Sequence, residues 1–524
     1  KMFLLDTKEG KIYQDEEIKS ELISRNPYEK WLSENRVFLE DIVDVTKADQ
    51  ETVDENLLIK LQNAFGYTLE DIRIILEPMA NTGYEPTGSM GNDAPLAILS
   101  QENPLLFNYF KQLFAQVSNP PLDAIREELV TSLQATIGEE RNLFEETPEH
   151  CRQITLKKPI ITNADIHKLA NNTQTGLKAH KIQILFDISD DNGLKNAVQR
   201  TQEEADEAIR KGCSILILSD RGVDRHTAAI PSLLATSSLH HHLIRNGTRT
   251  KVGIVVETAE AREVTHFALL IGYGAGAINP YLAFETLENQ LNKNALIPGM
   301  TRSSVITNYL TAANKGILKI MSKMGISTIQ SYRGAQIFEA VGLSKNFVDD
   351  HFTMTPSRIG GIGIEHIQKE TIARHRYGFR DNQKEGDLNI KSGGQYQWRR
   401  DGEHHMWNPK TIASLQHAVK SNSWNTYEEF ADYADKENQR LSTIRGLLEF
   451  KDGLQSIPIE EVEPAKEIVK RFATGAISLG SISKEAHETM AIAMNRINAR
   501  SNTGEGGEDP GRYTPDANGD SRNS

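Results

Sequence analysis

Short apolar runs alternating with amphipathic helical stretches constrain this chain more than any other feature. From Ile182 the sequence reads as a strand at Ile182–Phe186, a helix over Leu194–Lys211, a strand at Ser214–Leu218 and a helix near Ile230–Ile244. A strand at Val252–Val256, a helix near Ala261–Ile271 and a strand at Ala277–Asn279 follow. Strands separated by helices imply parallel pairing with right-handed crossovers. A helix at Val305–Met324, a strand at Thr328–Gln330 and a helix at Gly334–Val341 extend the pattern, so a barrel or partial barrel is expected rather than a sandwich.

The flanking regions differ. A strand at Met2–Asp6 and helical patterns at Asn56–Phe65 and Leu69–Leu76 precede Pro78–Ser100, a loop dense in Gly, Pro, Asn and Asp. A loop that long within a domain is a candidate for function. Leu105–Val117 has helical spacing, with Asn119-Pro120-Pro121 as its stop. Between residues 346 and 457 the alternation fades into helices, a connector with structure of its own. Helical spacing resumes at Ala465–Phe472 and Ser483–Arg496, the latter with Ser483 as N-cap and Glu485 in its first turn. Gly475–Ser478 and Arg500–Thr503 read as strands. The fold class expected is α/β, with a barrel-like unit of parallel strands over about 182–345 inside a domain 1–345. A helical connector 346–457 and the first strands of an incomplete (β/α) barrel at 458–524 complete it.

Charge and cysteine content exclude several functions. A net charge of −13 argues against attraction to nucleic acid or anionic membrane. No apolar run approaches the roughly 20 residues that span a bilayer. Cys151 and Cys213 are the two cysteines, too few for a disulfide framework, a Cys-rich metal site or an iron-sulfur site within the chain. A reducing cytoplasm is the expected home. The first residues enter a strand-like run directly and the last stop in a turn, so both ends read as cuts from a longer polypeptide.

Several glycine and histidine motifs lack the spacing that chemistry needs. Gly272–Gly276 and Gly360–Gly363 do not follow the strand, GxGxxG, helix order of a dinucleotide site and are read as tight turns. His240-His241-His242 lies on a helix, where neighbours point apart, and is read as a solvated helix end. His404-His405, beside Trp398, Arg399, Arg400 and Trp407, is either an anion or partner surface or structural packing. Two constellations are stronger. In Ser501–Glu508, glycines permit close backbone approach to a ligand, and Glu505 falls at the C-terminal rim of a strand, where barrel enzymes hold catalytic groups; a solvated surface turn is the competing reading. Gly475-Ala476-Ile477-Ser478 offers small residues at the end of a first barrel strand, leaving room for a flat ring or serving only strand-helix packing.

At these residues the chain resembles a known family. KRFATGAISLGSISKEAHETMAIAMNRINARSNTGEGGEDPGRY, Lys470 to Tyr513, resembles the opening of the FMN-binding barrel of glutamate synthase, and YQWRRDGEHHMWNP resembles the segment leading into it. EPMANTGYEPTGSMGNDAPLAILS, NPLLFNYFKQLFAQVSNPP, TRSSVITNYLTAANKGILKIMSKMGISTIQSYRGAQIFEAVGL and MTPSRIGGIGIEHIQ resemble its central domain. The resemblance covers essentially the whole chain in the family's order. It makes 1–345 the central domain, 346–457 the connector and 458–524 the truncated start of the FMN barrel.

The resemblance implies reductive transfer of the glutamine amide nitrogen to 2-oxoglutarate, giving two glutamates. In the family, ammonia from an N-terminal amidotransferase domain tunnels to the FMN site, where 2-iminoglutarate is reduced, and electrons arrive through an iron-sulfur cluster. It also implies Glu505 as the catalytic residue near the tunnel exit, Gly475, Ala476, Ile477 and Ser478 as cofactor-binding backbone, and Met79, Met90, Asn502 and Thr503 as substrate or tunnel residues. The short segment after Glu508 implies the NADPH-dependent bacterial type with a small reductase subunit, ferredoxin being the alternative donor. The amidotransferase nucleophile, the cluster cysteines and most of the barrel lie outside the chain, so by itself it is expected neither to hold FMN nor to make glutamate. A non-catalytic interaction module and an unrelated flavin or nicotinamide barrel oxidoreductase are the competing readings.

Overall fold

The computed structural model describes residues 1–43, 54–88, 91–113, 123, 125–172, 174–380, 389–438 and 443–524. They form two compact units, Lys1–Leu447 and Leu448–Ser524.

The larger unit is built on a four-stranded sheet: β1 (Ala179–Gln183), β2 (Ile215–Ser219), β3 (Gly253–Glu257) and β4 (Ala277–Asn279). Its order is β4-β3-β2-β1 and every pairing is parallel, with Ile182 opposite Leu218 and Leu218 opposite Val256. Sequential order with helical crossovers is a singly wound sheet, as the alternation predicts. The crossovers are α1 (Gly193–Arg210), α2 (Ser232–Arg245) and α3 (Val264–Gly272). In α1 the buried positions Leu194, Ala197, Val198, Thr201, Ala205 and Ala208 recur at helical spacing and cover one face of the sheet. All of β2 and β3 is buried, which is why both read as unbroken apolar runs. The outer edge of β4 takes a further backbone segment, Ile161 N–H donating to Ile278 O (2.9 Å) and Ile278 N–H to Pro159 O (2.8 Å). No closed barrel forms among the described residues.

Several elements depart from the sequence expectation. The Ile182–Phe186 strand divides: β1 ends at Gln183, and Leu185–Asp187 turns to pair antiparallel with Thr227–Ala229. Thr328 makes a lone bridge to Ser132, and Ile329–Tyr332 is a short helix, because the Thr328 side chain caps the Ser331 amide. Gly334–Val341 is not a helix; Phe338–Leu343 is a strand whose alternating Phe338, Glu339, Ala340 and Val341 fit a half-buried sheet. It pairs in parallel with Ser357–Ile362, so Gly360 and Gly361 lie in a strand and not a tight turn. Its other edge pairs with Phe110–Gln112, so Leu105–Val117 opens as a 3-10 turn and a strand where helical spacing predicted a helix. Residues 114–117 and the Asn119-Pro120-Pro121 stop lie outside the described residues.

Within the larger unit, residues 346–447 contribute the helices Ile364–Gly378, Pro409–Ser421 and Trp424–Glu437. In the smaller unit α4 (Lys484–Arg496) starts where expected, with Ser483 Oγ accepting from the Ala486 amide. The two expected strands there reduce to one parallel bridge, Ala473 opposite Arg500. Among the described residues no further strand pairs with either segment, and strand geometry does not persist without a ladder.

Candidate functional site

The bridge in the smaller unit brings the two glycine-rich constellations together. Thr474 N–H donates to Arg500 O and Arg500 N–H to Phe472 O, each at 3.0 Å, and both segments then run out beside one another. The turn Gly504–Gly506 sits directly on the Ile477–Leu479 backbone: a Cβ at Gly506 would lie 2.4 Å from Ser478 Oγ and 2.9 Å from Leu479 N. Gly504 adopts φ +61°, and its amide is held by Asn502 Oδ1 at 2.8 Å. Thr503 is half-buried as the residue before this turn. Glu505 projects from it, exposed and without a hydrogen-bond or ion-pair partner among the described residues. The amides of Gly475, Ala476, Ile477 and Ser478 likewise find no acceptor among the described residues. The result is a shelf in which Gly475, Ala476 and Ser478 flank Ile477, with unused backbone donors beside an unpaired carboxylate.

Residues that sequence reasoning missed support this shelf from below. His487, buried on α4, places Nε2 3.0 Å from Ile477 O, and Arg512 Nη1 lies 2.8 Å from His487 Nδ1. A carbonyl can only accept, so Nε2 carries the proton and Nδ1 accepts from the guanidinium. Arg512 is 1% exposed; its Nε donates to Arg522 O (2.8 Å), and Glu508 lies 3.8 Å away. No local pattern announces this chain, because its members combine only when the 508–522 segment folds back under α4.

In the larger unit the Pro78–Ser100 loop walls a cavity of about 250 Å³. Glu70, 3% exposed, accepts four consecutive amides across it: Gly394, Gln395 and Tyr396 on Oε2 (3.0, 2.7 and 3.0 Å) and Gln397 on Oε1 (2.8 Å). Gly393 and Gly394 both have positive φ, which turns these N–H groups toward one carboxylate. Arg262 pairs with Asp71 (3.2 Å), and Tyr396 Oη donates to Glu263 Oε2 (2.7 Å). Burial alone would raise Glu263, but His266 at 3.1 Å, the Tyr396 hydroxyl and Arg262 hold it down at about 2.

The C-terminal rim of the sheet carries a second polar cluster. Asp220, wholly buried after β2, accepts from the Thr258 hydroxyl (2.7 Å) and the Ala259 amide (2.9 Å). Burial nevertheless pushes its carboxyl up to about 7. Beside it Glu257 pairs with Arg221 and Lys181, both at 2.6 Å, which outweighs burial and keeps its carboxyl below the usual range.

Met79 is wholly buried on Glu77–Thr82, a helix packed against Arg302–Lys323, and so belongs to the core. Met90 lies outside the described residues. The histidine run is not a solvated helix end: His240 is buried, His242 is 2.8 Å from Asp206, and α2 is covered along most of its length. His405 lies 2.8 Å from Asp93 and against Gly394 O, so the 404–405 pair is engaged in packing. Among the described residues no group of His, Cys, Asp and Glu could hold a metal ion, and no helix is long and apolar enough to cross a membrane.

A singly wound parallel sheet, a polar C-terminal rim and a separate unit with a glycine shelf define a multi-unit α/β chain. Two family models match it: the glutamate synthase central domain over residues 60–344 and a conserved region in glutamate synthase over residues 405–520. The chain belongs to the glutamate synthase family. It is 48% identical over its whole length to the glutamate synthase [NADPH] large chain of Bacillus subtilis (strain 168), spanning 34% of that protein. It is 41% identical over 98% of its length to the ferredoxin-dependent chloroplastic glutamate synthase of Spinacia oleracea, spanning 32% of it. The chain thus spans about a third of the relatives it matches and is an internal fragment of such a protein. Among solved structures, flavocytochrome b2 with sulfite bound aligns with 59% of this chain and 90% of that one at 10% identity, with a TM-score of 0.28, too low to bear on the fold.

Proposed function

We propose that the complete protein is a glutamate synthase that transfers the amide nitrogen of glutamine reductively to 2-oxoglutarate, giving two glutamates. The observation that carries this reading is the seating of the Gly504–Gly506 turn on the Ile477–Leu479 backbone, within a chain matched by the family from end to end. The shelf fits FMN: the amides of Gly475–Ser478, without acceptors among the described residues, would be free to donate to a flavin, and the open space at Gly475 with the short Ala476 side chain would leave room for a flat ring. FMN, when bound, supplies the reducing electrons. His487 donates to the Ile477 carbonyl and is itself held by Arg512, which keeps the shelf in place.

Glu505 is the free carboxylate beside the shelf and is assigned to orient or deprotonate the incoming nitrogen. Asn502 and Thr503, beside the turn, and the 79–90 segment from Met79 to Met90 are assigned to the ammonia path. A confined path keeps ammonia from protonation in solvent and raises its effective concentration at the acceptor carbon. In this reading 1–345 is the central domain, 346–457 the connector and 458–524 the beginning of the FMN barrel. An amidotransferase domain, the rest of the barrel and an iron-sulfur cluster belong to the complete polypeptide. A small reductase subunit using NADPH is the assigned electron source, and the cytoplasm the assigned compartment.

In the complete enzyme Glu505→Ala should lower glutamine-dependent glutamate synthesis by about tenfold or more, the loss of one acid-base group, with FMN content unchanged. Parallel loss of flavin and activity would reassign Glu505 to structure. Absence of glutamate formation by the wild-type enzyme with every reductant would overturn the function itself.

A further inference from the structure

At the N-terminal edge of the four-stranded sheet, opposite the rim, a pocket of about 440 Å³ is lined by Arg249, Arg333, His240, Gln330, Gln153 and Glu140 among others. The Gly272–Gly276 turn makes it possible: Gly274 adopts φ +117°, and a Cβ there would lie 2.4 Å from His240 Nδ1. Arg249 enters through this gap. Its Nε donates to His240 Nδ1 (2.9 Å), Nη1 to Val252 O (2.7 Å) and Nη2 to Gly274 O (3.0 Å). All three acceptors are neutral, because burial and the adjacent arginine push His240 down to about 2. Arg249 is therefore positioned by neutral acceptors, with no carboxylate in contact with it among the described residues.

Arg333 is less satisfied still. Its Nε is buried without a hydrogen-bond partner, and its side chain makes no hydrogen bond or ion pair among the described residues. Burial, together with Arg333 beside it, lowers the Arg249 guanidinium to about 10, and burial lowers Arg333 as well. Glu140 lines the pocket and its charge favours both guanidiniums, but it is exposed and makes a contact ion pair with neither among the described residues. Two part-buried guanidiniums facing one pocket repel each other, and with no carboxylate in contact with either, an anion seated between them would relieve that repulsion. Arginine forks match the paired oxygens of carboxylates and phosphates.

We propose that this pocket binds a dianionic oxyanion, a dicarboxylate or phosphate group, between Arg249 and Arg333. The oxyanion comes either from a free small molecule or from acidic side chains elsewhere in the complete polypeptide. The test uses the complete polypeptide, with malonate and inorganic phosphate as probes at constant ionic strength. Arg333→Met keeps the apolar stem and removes the charge, and Arg333→Lys keeps the charge. For a free ligand, a probe raises the wild-type melting temperature saturably, and Arg333→Met weakens its binding at least about tenfold, the loss of one charge-assisted contact. For an internal carboxylate, the probes have no effect, Arg333→Met lowers the melting temperature, and Arg333→Lys largely restores it. The proposal is overturned if the probes stabilise wild type and Arg333→Met alike, or if neither the probes nor Arg333→Met lowers or raises stability in these ways.

Discussion

Removing the Glu70 carboxylate should release the 394–397 segment from the larger unit. Four backbone amides end on that one side chain, three on Oε2 and one on Oε1, at 2.7 to 3.0 Å. A hydrogen bond to a charged group is worth about 1.5–3 kcal/mol net, and a buried donor left without a partner costs about 1–3 kcal/mol. The Gly394 amide is buried while the other three are only partly covered, so in Glu70→Ala one donor bears the full cost and three recover water. The expected local destabilisation is about 4 kcal/mol. Glu70→Gln keeps the packing and one acceptor oxygen but turns an NH2 toward the Gln397 amide, for about half that loss. Hydrogen exchange read by mass spectrometry measures this directly: exchange at 394–397 should accelerate by about three decades in Glu70→Ala. Proteolysis near Gly393 should rise in step. Exchange within about tenfold of wild type would refute the claim that the carboxylate organises this segment.

Gly506→Ala drives a methyl to within 2.4 Å of Ser478 Oγ and 2.9 Å of the Leu479 amide, so it should displace the shelf and lower FMN content of the complete enzyme; full flavin retention would detach the shelf from the cofactor. Asp220 has a folded carboxyl raised from 3.8 to about 7, so its stabilising contribution is complete below pH 3.8 and lost as pH rises to 7. Asp220→Asn should therefore gain stability relative to wild type between pH 4 and 7, by up to about 4 kcal/mol, and level off above; thermal melts across that range with a pH-independent difference would contradict the burial argument. Turnover of the complete large chain should be efficient with its small subunit and NADPH, and efficient turnover only with reduced ferredoxin would reverse the donor assignment.

The parallel sheet was legible because β2 and β3 are buried on both faces, so their apolar character survives as a local signal, and because α1 places its buried residues at helical spacing. The α4 start was legible through its Ser483 cap, and the two glycine constellations through composition alone. Family membership rests on ordered motifs along the chain and needed no coordinates. What failed locally were segments whose state depends on a distant partner. Phe338–Leu343 is a strand because Phe110–Gln112 and Ser357–Ile362 flank it, and Arg500–Thr503 is not one because its ladder lacks neighbours. The same reason hides the polar sites. Glu70 meets amides more than 320 residues away, Arg249 and Arg333 converge across 84 positions, and His487 finds Arg512 only after the chain turns back. Sequence determines which segments can be helix, strand or turn, since those preferences are set by neighbours along the chain. Only tertiary structure decides which charges are buried together, since that depends on desolvation and on groups the chain brings into contact from afar.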